Sequence, residues 1–500
     1  MDLLQLPDVD GLLVTADNPA RVDLLGMDHA RCAALHNYLV HYAWIAEERA
    51  PASLHDNNNT FFNAHGAVAE ALRPRLDPSL AAFLAAAMLP PDANTSERAP
   101  FFFWASELSE PDFLFDNDTA DLFDQPPDSL VCLYFPNIGQ GGESGGGVLY
   151  HQGCHRAAVF MHMDDHDFAL PVEAHPALWH PLETVLSNWI DLLRLGKITA
   201  SPSDAPALFG SEKIGPWEWR PYSEAQVAAC VAEWDRLCGA IEARVVLLLP
   251  ASTAATTTTD AAEPDPEPLV SPATLDAASV PEPCFARAFL TRARRPQFGC
   301  IAPGLLLPPE DATEFAAVQP FTRLPRAPHA IPPVCLFSTA RGEREVDLTR
   351  SSSPFFSPNP FCNGFRARSA DSPVPSRVPA GVYSESVERD AFDNAEEGFR
   401  LLLPYGLEGK TRDASTGARK SDGSYVGREQ VADLFQHGYK PFGGDYYRPQ
   451  RLERLFDCWC RLVDEGVWSV GPQGVEGTID TFREADTAAR RRDYIISPTW

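Results

Sequence analysis

No apolar run in this chain reaches the length of a bilayer span. The longest, near 80–89 and 245–249, fall well short of the roughly 20 residues that a membrane helix needs. Basic charge is also scarce. The 500 residues carry 41 Lys and Arg against 69 Asp and Glu, a formal net charge of −28. Such a field repels phosphate backbones and anionic lipid headgroups, which argues against general binding to nucleic acid or to a membrane surface. The one local basic strip, Arg287, Arg292, Arg294 and Arg295, is expected to be the solvated face of one element. A basic n-region is missing from the opening stretch MDLLQLPDVDGLLV, which instead has Asp2 and Pro7. No secretory signal is expected, and the expected location is the cytoplasm. Cysteine is present without the spacings that would give it a structural role. The eleven thiols are odd in number, and the one close pair, Cys458 and Cys460, does not form C-x-x-C. They are expected as buried, reduced thiols.

What is present is ordinary globular material with an excess of proline. Hydrophobic residues make up 44% and charged residues 22%, enough to bury a core. Forty-six prolines predict long irregular segments between packed elements. Apolar periodicity predicts helices over 28–48, 61–72, 79–88 and 181–195, the last closed by Gly196. The clearest helix spans 224–248, opened by a Ser223/Gln226 capping box and ended by Pro250. Residues 130–135 and 148–150 read as strands of a hairpin with a glycine-rich tip at 139–147. The acidic, aromatic stretch 107–128 is expected as an exposed loop or a short partner-binding segment.

Composition changes at 251–283, which is rich in Thr, Ala, Pro and acid and nearly free of large apolar groups. It is expected to be disordered, as a linker between two domains or a loop inserted in one body. The chain thus divides into a helix-rich 1–250, the 251–283 segment, and an α+β region over 284–500 that could pack on the first. In the second half, 285–290, 299–307 and 333–338 read as strands, 351–380 as loop, and 428–436 and 451–464 as helices. The expected fold class is α+β, with a helix-rich N-terminal half and a C-terminal half of short strands and loops. The stretch GFRLLLPYGLEGKTRDASTGARKSDGS at 398–424, with LFQHGY and YIISPTW further on, resembles uncharacterised proteins of filamentous fungi. Fainter similarity surrounds HPLETVLSNWIDLLRLGKI. The resemblance implies a fungal provenance and no activity.

Two familiar motifs fail on inspection. Gly409-Lys410-Thr411 follows a strand-like run, but Pro404 stands where a phosphate loop requires glycine, and Glu408 would put negative charge in the cradle. It is expected as a surface turn. Gly142-Glu143-Ser144-Gly145-Gly146 fits G-x-S-x-G, yet a strand rather than a helix should follow it, so it is expected as a hairpin tip. The aromatic run at 217–222 is expected to pack ahead of the helix capped at Ser223 rather than to line a pocket.

The histidine cluster is less ordinary. Six of the thirteen histidines, His151, His155, His162, His166, His175 and His180, fall within 151–180, together with Cys154, Asp164, Asp165, Asp167 and Glu173. Imidazole and carboxylate are natural ligands of zinc or iron. His162 and Asp164, spaced H-x-D on a strand-like run, would share one face, as would His166. This H-x-D resembles half of the facial triad of iron- and 2-oxoglutarate-dependent oxygenases. That resemblance implies a second histidine from a distant strand. His329 is the next one along, and Arg341 lies twelve residues beyond it, where a co-substrate arginine would fall. Cys154 and His155 would also serve a simple zinc site. The competing reading is a polar loop without metal. The expected function is therefore a non-enzymatic binding or scaffold protein, recognising a protein or small-molecule partner. The alternative is a metal-dependent enzyme, a non-haem iron oxygenase, with His162, Asp164 and His166 as candidate ligands of iron or zinc.

Overall fold

The computed structural model describes residues 6–21, 23–55, 59–90, 101–115, 123–137, 147–160, 172, 176–209, 213–248, 267–324, 326, 328–348, 375–389, 394–409, 415–428, 430–439, 442–444 and 449–500. Helices and several small sheets make it an α+β protein. No helix among the described residues is long and apolar enough to cross a membrane. The chain forms two compact units. Unit 1 takes Met1–Arg220, Tyr439–Tyr446 and Pro498–Trp500, and unit 2 takes Pro221–Gly438 and Tyr447–Ser497.

Unit 1 opens with α1 (His29–Ala46), α2 (Phe61–Leu72) and α3 (Pro78–Ala86). The starts of α1 and α3 each have a local cause. Asp28 accepts from the Arg31 N–H at 3.2 Å, and Asp77 accepts from the Ser79 N–H at 2.8 Å with Pro78 at the first helical position. Strands β1 (Ala105–Leu108), β2 (Leu130–Pro136), β3 (Gly147–His151) and β4 (Arg156–Phe160) form an antiparallel sheet in that order. Next comes α4 (Leu182–Arg194), whose buried stripe is Leu182, Val185, Leu186, Trp189, Ile190 and Leu193. It ends in a Schellman motif. Gly196 has φ 64°, its N–H donates to Leu193 O at 3.0 Å, and the Lys197 N–H donates to Leu192 O at 3.0 Å. This turn aims Lys197 into β5 (Ile198–Ala200), which pairs with β7 (Trp217–Trp219). On its other side β7 pairs with β6 (Lys213–Ile214).

Unit 2 is built on α5 (Glu224–Leu248). Its expected capping box is present: the Gln226 N–H donates to Ser223 Oγ at 3.1 Å, and the Ser223 N–H donates to Gln226 Oε1 at 3.0 Å. Two short helices follow, α6 (Pro272–Ala277) and α7 (Phe285–Arg292), then β8 (Cys300–Ala302), β9 (Leu305–Leu306) and α8 (Ala312–Ala317). Short strands come after them: β10 (Ala330–Ile331), β11 (Cys335–Ser338), β12 (Glu345–Asp347), β13 (Arg377–Pro379), β14 (Gly381–Ser384), β15 (Val387–Glu388) and β16 (Phe399–Leu402). The last elements are α9 (Leu452–Asp464), β17 (Val470–Gly471) and β18 (Gly474–Val475). The main sheet has the order β16-β14-β11-β9-β8-β18-β17, antiparallel except between β18 and β8. Helices α5 and α9 pack together. Trp234 of α5 stacks on Phe337 of β11 at 5.4 Å and meets Phe456 of α9 edge-on at 5.4 Å.

Several expectations need correction. The 251–283 stretch is ordered where it is described, from 267 on. Ser271 caps α6, Leu269, Val270, Leu275, Ala278 and Val280 are buried, and Pro268 bridges Arg294. A few apolar residues at helical and turn spacing anchor it although its composition looks linker-like. Residues 251–266 lie outside the described residues. Helix α5, grouped by sequence with 1–250, belongs to unit 2. The run 285–290 is helix rather than strand. The Arg287 N–H donates to the Cys284 sulfur at 3.4 Å, and the buried Phe285, Ala286, Phe289 and Leu290 repeat at helical spacing. Of 428–436, the described residues 428 and 430–436 are turns, bends and irregular chain, not a helix. Phe435 has φ 68°, and the Gln436 amide donates to Phe399 O at 3.0 Å. The acidic stretch 107–128 is only partly exposed, since Leu114 and Phe123 are buried while Phe113 remains about half exposed. Of that stretch, 116–122 lie outside the described residues.

The Ser223 cap gives a direct test. Ser223→Ala is expected to destabilise unit 2 by about 1 kcal/mol, and Ser223→Asp to keep most of that stability. Denaturant titration followed through Trp234 fluorescence checks both.

Candidate functional site

The candidate metal ligands His162, Asp164 and His166 lie outside the described residues, as do His175, Asp165, Asp167, Glu173 and most of the glycine-rich tip. The described part of the cluster sits at the β3–β4 turn and at the entry to α4, and its histidines make hydrogen bonds within the fold.

His151 ends β3. Its Nδ1 accepts from the Gly153 N–H at 3.0 Å and the Cys154 N–H at 3.2 Å. A backbone N–H can only donate, so the ring proton is on Nε2, which donates to Gln125 Oε1 at 3.0 Å. Both nitrogens of this ring hold the turn. His155, at φ 55°, closes the turn, with its Nδ1 3.2 Å from the Tyr150 hydroxyl. Burial holds the Tyr150 phenol far above its usual range, so the hydroxyl keeps its proton. His180 exchanges two backbone hydrogen bonds with Ala157 of β4, at 2.7 and 2.9 Å, and its Nε2 donates to Ala177 O at 2.9 Å. Burial pushes its pKa down, toward the neutral ring. Among the described residues no three His, Cys, Asp or Glu side chains converge on a point that could hold a metal ion. His329 and Arg341 are exposed residues of unit 2.

Sequence reasoning missed the polar groups buried beneath this turn. His36 lies in α1, only 1% exposed, with Phe101 stacked on it at 4.5 Å. Its Nε2 donates to Met88 O at 2.8 Å, so its Nδ1 accepts from the Tyr134 hydroxyl, also at 2.8 Å. Burial pushes the His36 pKa down to about 4. One helical turn earlier, Cys32 directs its thiol at Glu183 Oε2, 3.5 Å away on α4. Burial raises the Cys32 thiol and the Tyr134 phenol well above their usual ranges, and it raises Glu183 from that of an ordinary carboxylate. The signal was legible: Cys32 and His36 are four apart, on the helix face shared with Leu35 and Leu39. The other buried thiols follow the same rule. Burial raises Cys284 and Cys335 to about 12 and Cys458 to about 11. These groups keep their protons at neutral pH and offer no thiolate or phenolate nucleophile.

The remaining candidates also resolve into structure. The basic strip is only partly a solvated face: Arg292 is exposed, Arg294 and Arg295 are half-buried and Arg287 is buried, and each guanidinium meets a carboxylate. Arg287, 7% exposed, lies 2.6 Å from Asp276 and 3.2 Å from Glu282. Arg294 pairs with Glu242 at 2.7 Å, Arg295 with Glu310 at 2.7 Å, and Arg292 with Glu224. At the GKT sequence, Gly409 takes φ 64° in a loop after β16, where a Cβ would lie 2.8 Å from Val426 O. That glycine serves close backbone packing, and 410–414 lie outside the described residues. Trp217 and Trp219 are fully buried in β7, so the aromatic run packs into the core.

The buried imidazole sets a pH dependence. With His36 at about 4 when folded and near 6.5 when unfolded, the unfolded chain takes up the proton first as pH falls. Stability is therefore lost from about pH 6.5 downward, and the loss levels off below about pH 4. From pH 7 to pH 5 this one group is expected to cost about 2 kcal/mol. His36→Phe is expected to remove that increment, as read from urea midpoints of parent and variant at the two pH values.

No family model, no curated protein and no solved structure matches the chain.

Proposed function

We propose that this chain is a non-enzymatic binding or scaffold protein of the cytoplasm, acting on a protein or small-molecule partner and not on nucleic acid. One observation carries the reading: the described titratable groups beneath the β3–β4 turn are spent on their own fold. His36 and His151 each use both ring nitrogens internally, and the Cys32 thiol points at Glu183. Catalytic groups are usually poised near neutral pH, whereas burial drives Cys32 and His36 away from it. The net charge of −28 supports partners that are not polyanions. The alternative is a non-haem iron oxygenase or a zinc enzyme, built on His162, Asp164 and His166.

Elemental analysis of untagged, purified protein separates the two. Iron and zinc are expected to stay far below one per chain, even after reconstitution, and to be unchanged in His162→Ala. Near-stoichiometric metal that is lost in His162→Ala would overturn the binding reading. Native purification from source cells is expected to bring down one partner at a fixed ratio, equally with parent and with His162→Ala.

A further inference from the structure

Several half-buried aromatic rings of this chain are covered by its own arginines. From guanidinium carbon to ring centre, Arg75 lies 4.0 Å over Phe115, Arg220 4.3 Å over Phe209, Arg483 3.5 Å over Tyr405 and Arg419 3.3 Å over Tyr425. In two of these stacks a carboxylate also takes the guanidinium. Asp128 accepts from Arg75 Nε at 3.1 Å, and Asp480 accepts from Arg483 Nε at 3.3 Å. The ring meets the face of the planar cation while the carboxylate takes its N–H groups at the edge, so the two contacts do not compete.

Phe113 has the ring and a carboxylate of such a stack but no guanidinium. It is the one aromatic side chain left exposed among the described residues, at 48%. Its ring meets Phe135 at 5.6 Å and 72°, and no cation lies over it among the described residues. The backbone there is anchored. The Phe113 N–H donates to Glu110 O at 3.0 Å, and the next residue, Leu114, is fully buried, its carbonyl accepting from the Cys132 N–H of β2 at 3.0 Å. The turn so formed carries two acids. Glu110 is near enough to His65 of α2 to favour its charged form, whereas Asp112 is exposed and in no ion pair among the described residues. The whole stretch 107–128 holds Asp and Glu but no Lys, Arg or His.

We propose that Phe113 and Asp112 are the docking point for an arginine on a basic segment of a partner protein. The partner's guanidinium lies on the Phe113 ring and pairs with Asp112, as Arg75 lies on Phe115 and pairs with Asp128. The net charge of −28 draws a basic segment toward the chain, and the exposed ring gives it a defined seat. Arginine fits this seat better than lysine, because only the planar cation stacks and bonds at its edge together. Aromatic and arginine side chains are also the groups that concentrate binding energy at protein interfaces. The proposal rests on the binding reading above and adds the chemistry of the partner.

The test uses the full chain and a fluorescein-labelled, C-terminally amidated peptide GRGRGRGRG, read by anisotropy against parent, Phe113→Leu and Phe113→Trp. The three proteins have equal net charge. Leucine keeps apolar area without a π face, and tryptophan offers a stronger one. Phe113→Leu is expected to weaken binding about two- to fivefold, and Phe113→Trp to tighten it. The peptide GKGKGKGKG, of the same charge, is expected to bind the parent more weakly. Equal affinity for the three proteins overturns the proposal, because binding then follows net charge alone. Absence of saturable binding to the parent overturns it as well. Either failure leaves the choice between a binding protein and a metal enzyme to the elemental analysis, which does not depend on Phe113.

Discussion

A buried indole gains by placing its N–H on an acceptor, and two such bonds in this chain tie distant segments together. Trp189 reaches Phe442 O, which is 253 residues away, and within unit 2 Trp234 reaches Arg294 O at 2.9 Å across 60 residues. Trp468 donates to the Tyr494 hydroxyl at 3.1 Å, and Trp44 closes its own turn on Ala50 O at 3.0 Å. Each bond is short, and each donor would carry a desolvation cost if left alone. The aromatic stack around Trp234 is thus held in place by a directional bond as well as by area. Short strands and proline-rich connections can then hang on a rigid centre in each unit.

The same logic governs the imidazoles. A histidine in an apolar layer survives there only as the neutral ring with its proton placed and its lone pair used. His36 meets that condition between Met88 O and the Tyr134 hydroxyl, and His151 meets it between Gln125 and two backbone N–H groups. Histidines so satisfied carry the fold, and the part of the cluster they occupy reads as framework. Burial likewise keeps Cys32, Cys284, Cys335 and Cys458 protonated at neutral pH.

Elements with strong periodicity or a local cap were legible in the sequence. Helix α5 with its Ser223 and Gln226 box, α4 with its glycine stop, α9, and the β2–β3 pairing follow from spacing alone. Tertiary context decided what spacing could not. The run 285–290 is too short to separate strand from helix, and the Cys284 cap with two faces of buried neighbours made it helical. Residues 267–283 look like linker by composition, yet five buried apolar side chains suffice to anchor them. The His36–Tyr134 and Cys32–Glu183 contacts join residues 98 and 151 positions apart, which no periodic pattern encodes. The arginine strip misled for a related reason: its partners Asp276, Glu242 and Glu310 come from other elements, and only the fold brings them close.

The account rests on buried imidazoles that are neutral and internally committed. Nitrogen-15 correlation spectra of histidine-labelled full-length protein, recorded from pH 7.5 to 4.5 with and without zinc, address this directly. The account predicts an Nε2–H tautomer for His36 and His151, no titration of His36 above about pH 5, and no shift of either ring on adding zinc. A His36 ring that titrates near 6.5, or one of these rings moving with stoichiometric zinc, would contradict it.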